Sequence, residues 1–141
     1  MWKRFLVSLL SVILLAICLP GCGGGTGEPY IEVTCDEFKE QADIHRELEV
    51  PERSTFTVTL CTSATSGFLW SKEVGISNDA IVSPLKHELK GKGVFDASTK
   101  EMWTFQALSA GNSTINLKYS RPWEIDSDQK MWTLELLVVV K

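Results

Sequence analysis

Apolar and polar residues alternate along most of this chain. Phe56, Val58 and Leu60 interleave with Thr55, Thr57 and Thr59, and because successive strand side chains point to opposite sides, this gives one apolar and one polar face. The same period returns in Trp103, Phe105 and Ala107, in Ile115, Leu117 and Tyr119, and in Trp132, Leu134, Leu136, Val138 and Val140. Another strand ends near Leu89, and the next begins near Lys100. Turn signals such as Ala110-Gly111-Asn112 separate the runs. Helical spacing is scarce, with only Asp36 to Asp43 suited to a helical turn or two. Short strands at such intervals predict an all-β, antiparallel β-sandwich.

Three connections between these strands stand out. The first follows Leu60 and runs through Thr62, Ser63, Ala64, Thr65, Ser66 and Gly67 to Phe68 and Trp70. Its small, uncharged residues and glycine make a narrow, neutral tip. The second, Lys90-Gly91-Lys92-Gly93-Val94-Phe95, allows a close, irregular backbone path at Gly91 and Gly93. It is no phosphate loop, because neither a GK[ST] triplet nor a following helix accompanies it. The third lies in Tyr119-Ser120-Arg121-Pro122-Trp123, which follows a clear strand, and because the next clear strand begins only near Lys130, Arg121, Pro122 and Trp123 belong to a loop. Pro122 fixes its own φ and restricts Arg121, so a stiffened Trp and Arg sit on a connection, as in a binding hot spot. Trp70, two residues past Phe68, reads as a core tryptophan between immunoglobulin-like sheets. Trp103 and Trp132 read as core by their alternation.

The N-terminus adds a different signal. Lys3 and Arg4 precede an apolar run, Phe5 to Leu19, which is short against the roughly 20 residues of a helical span. Leu19-Pro20-Gly21-Cys22 closes it. This resembles a lipoprotein signal, with residues 1–21 removed and Cys22 lipidated; a plain secretory signal and an uncleaved anchor are the other readings. Residues 22–29 then form a glycine-rich tether, and the folded domain spans 30–141. The expected location is exported and lipid-anchored to the cell membrane or envelope, as a monomer.

The whole chain has 14 Lys and Arg against 18 Asp and Glu, and loss of Lys3 and Arg4 makes it more acidic. No basic patch points to nucleic acid. Cys35 and Cys61 remain in the exported domain, and read as one disulfide; two free thiols or a metal site are the alternatives. Metal has little support, since His45 and His87 lie far apart and no CxxC or HxxxH spacing occurs. No nucleophile motif accompanies either histidine, so an enzyme is not expected, nor any cofactor.

Taken together, the three connections resemble those of the chagasin family of cysteine-peptidase inhibitors. The family's first loop reads NPTTG, then an aromatic and, two residues later, tryptophan. Here that stretch is Ser63-Ala64-Thr65-Ser66-Gly67-Phe68 with Trp70, so Ser63, Ala64 and Ser66 replace Asn, Pro and Thr. The glycine-rich second loop is matched by Gly91 and Gly93, and the RPW third loop in full by Arg121, Pro122 and Trp123. The resemblance implies an immunoglobulin-like sandwich that inhibits papain-like cysteine peptidases reversibly and without covalent chemistry. The first loop would lie over the catalytic cysteine, with the other two gripping either side. A binding module for an envelope protein or glycan is the competing function, since Trp123 and Arg121 also suit a sugar face.

Overall fold

The alternation of Thr55 to Cys61 becomes a central strand. The computed structural model describes residues 27–62, 67–91, 99–121 and 132–141; the signal segment and Cys22 lie outside them. Three early elements precede that central strand: β1 (Tyr30–Val33), α1 (Cys35–Glu40) and β2 (Asp43–Val50). The strand itself is β3 (Thr55–Cys61), and it pairs antiparallel with β7 (Lys100–Ala107), from Thr55 opposite Gln106 to Cys61 opposite Lys100. Phe56, Val58 and Leu60 face inward with Trp103, Phe105 and Ala107, and all six are buried. Each large apolar side chain so removed from water contributes about 1.5–3 kcal/mol.

Between β3 and β7 come β4 (Leu69–Trp70), β5 (Gly75–Ile76) and β6 (Val82–Lys90); β8 (Gly111–Ser120) and β9 (Trp132–Val140) follow. One sheet has the order β1-β3-β7-β6. The other has β2-β9-β8-β4, with β5 also paired to β8. The inward faces of β8 and β9, from Ile115 to Tyr119 and from Trp132 to Val140, close the core from the second side. Trp70, Trp103 and Trp132 all lie in that core.

The sandwich matches the strand pattern, and its hairpin-like pairs are antiparallel. Two pairings are parallel, β1 with β3 and β2 with β9. Alternation fixes which face of a strand is buried and says nothing about direction. Here α1 carries the chain across from the edge of one sheet to the edge of the other, so β1 and β2 each run alongside the strand they join.

The early segment departs from the sequence reading in one more way. The helix ends at Glu40, and Asp43 already opens β2. Ile44, Leu48 and Val50 do alternate, but Arg46 takes the intervening place on that face and turns its guanidinium to Glu37, 3.1 Å away. Thr34 starts the helix through a capping box: Glu37 N donates to Thr34 Oγ1 and Thr34 N donates to Glu37 Oε2. This reciprocal pair satisfies backbone donors that a helix start leaves open. Phe38 is the buried residue of α1.

Edge strand β6 is protected by charge and irregularity. Lys86 and Lys90 both pair with Glu88, and a bulge interrupts the register between Pro84 and Lys86. Both features discourage edge-to-edge association.

Candidate functional site

The register places the stems of all three connections at one end of the sandwich. Cys61, Lys100 and Lys90 lie abreast across the first sheet. In the second sheet Leu69 lies opposite Ser120, and Tyr119 opposite Trp132. The first connection therefore leaves at Cys61 and returns at Leu69, the second leaves at Lys90 and returns at Lys100, and the third leaves at Ser120 and returns at Trp132. Helix α1 crosses between the sheets at this same end, since β1 runs parallel to β3 toward it and β2 runs parallel to β9 away from it.

Side chains join the two sheets here. Trp70 is 2% exposed, and its Nε1 donates to the Cys61 carbonyl at 2.9 Å across the sandwich. A buried indole N–H needs such a partner, and this bond ties the outgoing stem of the first loop to its returning stem. Thr62 N donates to Thr99 O at 3.3 Å, extending the β3–β7 ladder beyond Cys61. Cys35 and Cys61 are disulfide-bonded, with Cα atoms 5.2 Å apart, so the start of α1 is fixed to the base of the first loop.

Of the peptidase-binding residues named from sequence, Gly67, Phe68, Gly91 and Arg121 fall among the described residues, and all four lie at this end. Gly67 has φ 73°, a left-handed backbone conformation that a glycine adopts without a Cβ penalty. Phe68 packs partly buried against the core and stacks on Tyr119, with ring centroids 5.6 Å apart. The Arg121 guanidinium carbon sits 4.6 Å from the Phe68 ring centre, within the range of a cation–π contact. First and third loops thus touch at their stems. At Gly91 a Cβ would come within 2.8 Å of Thr99 Oγ1 and 3.2 Å of Thr99 Cα, so the absence of a side chain lets the outgoing stem of the second loop lie this close to its returning stem. Ser63, Ala64, Thr65 and Ser66 of the first loop, Gly93 of the second, and Pro122 and Trp123 of the third lie outside the described residues.

The charges nearby are mostly structural. Glu101, 5% exposed, is held by His87, whose Nε2 is 2.8 Å from Glu101 Oε2; His87 also stacks flat on Trp103 at 4.5 Å. An ionised Glu101 requires that nitrogen to carry the proton and donate it. Hydrogen bonds from the Thr34 backbone and hydroxyl, with help from Arg46, hold the Glu37 carboxyl below its ordinary value. Among the described residues no three His, Cys, Asp or Glu gather as a metal site.

Sequence reasoning missed the part played by α1. Its legible signal is the capping box, Thr34 with Glu37 three residues on, just before Phe38.

The comparisons agree with this geometry. Solved structures share the fold, two among them. The cysteine protease inhibitor EhICP2 from Entamoeba histolytica is 21% identical, with a TM-score of 0.59 over 83% of this chain and 100% of that one. PbICP-C, solved in complex with falcipain-2, is 14% identical, with a TM-score of 0.60 over 80% of this chain and 99% of that one. No match was found among curated proteins. The family model described as "Chagasin family peptidase inhibitor I42" matches residues 49–136, a stretch running from the end of β2 into β9 and containing all three connections. This chain belongs to the chagasin family, whose members are protease inhibitors and not enzymes.

Proposed function

We propose that the protein is a reversible, non-covalent inhibitor of papain-like cysteine peptidases that fills the active-site cleft with the three connections at one end of its sandwich. The observation that carries this reading is the common end from which stems at Cys61, Lys90 and Ser120 emerge. PbICP-C, a structural relative, was solved bound to falcipain-2, which supports a peptidase of that class as partner. Ser63, Ala64, Thr65 and Ser66 would lie over the catalytic thiolate as a neutral tip, with Gly67 and Phe68 as its returning stem. Gly91 and Gly93 would approach one wall of the cleft, and Pro122 and Trp123 the other. Arg121 would support the third loop from its stem. Inhibition would follow from occupancy, with the tip placing no peptide carbonyl in the near-attack position that the catalytic thiolate needs. A standard interface buries about 1,600 Å², which three short loops can supply.

Lipid on Cys22 would hold this end away from a membrane on the 22–29 tether, with one chain sufficient for inhibition. Cys22→Ser would release the protein from membranes without altering inhibition.

The test is titration of papain with the full chain in detergent. Inhibition is expected at stoichiometric concentrations, and Trp123→Ala should weaken it by about 2 kcal/mol, roughly thirtyfold, with the thermal transition retained. Full papain activity at saturating protein would remove the inhibitor reading.

A further inference from the structure

The loop end carries a row of stacked rings that the loop motifs do not assign. Phe38 on α1 lies 4.9 Å from Trp132 at an interplanar angle of 14°, and Trp132 lies 4.9 Å from Tyr119 at 11°. Tyr119 continues to Phe68 at 5.6 Å, and the Arg121 guanidinium caps Phe68 at 4.6 Å. The row runs from the helix to Trp132 on the returning stem of the third loop, then to Tyr119 on that loop's outgoing stem, crosses to Phe68 on the returning stem of the first loop, and ends at Arg121, again on the outgoing stem of the third. Phe38 also meets Trp70 at 5.4 Å. Three residues before it, Cys35 is bonded to Cys61, the outgoing stem of the first loop.

Helix α1 is therefore in contact with stems of both loops, by a ring on one side and a disulfide on the other. Resting on the inhibitor reading above, the geometry points to Phe38 as a positioning residue of the wedge, whose ring sets the separation of the first and third loops. Stacked aromatic pairs hold preferred offsets, and Phe38 is 1% exposed, so a close-packed interior leaves its ring no second place. Displacing it lets Trp132 and Tyr119 shift, and with them the stem on which the third loop returns. A wedge that must reorder on contact binds more weakly than one already set. Phe38 and Cys35 both lie upstream of residues 49–136, the stretch matched to the family, so the helix side of the brace comes from chain outside that stretch.

The test compares Phe38→Leu with Phe56→Leu in the full chain. Phe56 stacks on Phe105 at 5.3 Å, in the part of β3 remote from the loops, and serves as a core control. Phe38→Leu should weaken papain inhibition by roughly tenfold, in the range of contact couplings, at a temperature where both variants are folded, whereas Phe56→Leu should leave it unchanged. Hydrogen exchange without peptidase is the second readout: Phe38→Leu should speed exchange in the stem peptides covering 116–121 and 132–136, and not in those covering 108–110. Equal inhibition by the two variants, or unchanged exchange over 116–121 and 132–136, overturns the positioning role. Should the parent protein fail to inhibit papain, the inhibitor reading falls and the exchange result still decides whether Phe38 sets the stems.

Discussion

At the end of the sandwich remote from the loops, the chain turns through 51–54, 77–81 and 108–110, and backbone hydrogen bonds between the turns close that end, with the Ser54, Ser109 and Ser113 hydroxyls donating to backbone carbonyls. Arg53 N donates to Ala107 O and Glu52 N to Lys141 O, each at 2.9 Å, and Leu108 N donates to Ile81 O at 2.8 Å. Among the described residues at the loop end, side chains tie the stems together: a disulfide, the Trp70 bond to the Cys61 carbonyl, and the Arg121–Phe68 contact. An end closed by its own backbone has little freedom to change length or sequence. An end braced from below, at the stems, leaves the tips free to differ in sequence, as Ser63, Ala64 and Ser66 differ from the family's Asn, Pro and Thr.

The largest expected effect tests that brace. A Cys35→Ser, Cys61→Ser double variant loses a cross-link spanning a sequence separation of 26. It should be destabilised by about 3.5 kcal/mol on the chain-entropy model, with inhibition weakened even at temperatures where it is folded. Denaturant unfolding and papain titration would measure the two; equal affinity in the folded variant would mean that the first loop stands without its tie to α1.

A pair of glycines gives the sharper contrast. At the loop end, Gly91→Ala forces a Cβ against Thr99. It should weaken inhibition by about 1 kcal/mol, roughly fivefold. At the remote end, Gly111 has φ 141°, and a Cβ there would meet Ile81 Cδ1 at 2.6 Å. Gly111→Ala should lower stability by about 1–2 kcal/mol and leave inhibition untouched. A loss of inhibition in both would show that the two ends are not independent.

The smallest effect is in pH. Because the folded state holds the Glu37 carboxyl below its ordinary value of 4.5, its contribution is present at neutral pH and is lost as pH falls through the lowered folded value. Glu37→Gln should cost about half a kcal/mol at pH 7, reduced by solvent exposure, and nothing once the carboxylate is protonated. A stability difference between parent and variant that persisted in acid would assign Glu37 a role other than charge-assisted capping.

Much of the fold was legible because alternation is a local property. Thr55 to Cys61 and Trp132 to Val140 announce which side is buried without reference to any other strand. β2 was not legible: Arg46 breaks its apolar face, and that break makes sense only once Glu37 is known to lie beside it. The glycines and the aromatic of the candidate site were visible as turn chemistry, and Arg121-Pro122-Trp123 as a stiff connection. Phe38 was hidden, since one aromatic in a six-residue helix has no periodicity to report it.

By itself, then, the sequence determined the two-sided strands, the loop residues and the cysteine pair, since each depends on neighbours within a few positions. Tertiary structure alone decided strand direction, the convergence of three distant connections on one end, and the ring stack that runs from α1 to Arg121. Those depend on which strands lie side by side, and pairing between segments tens of residues apart is settled by the packing of the whole core.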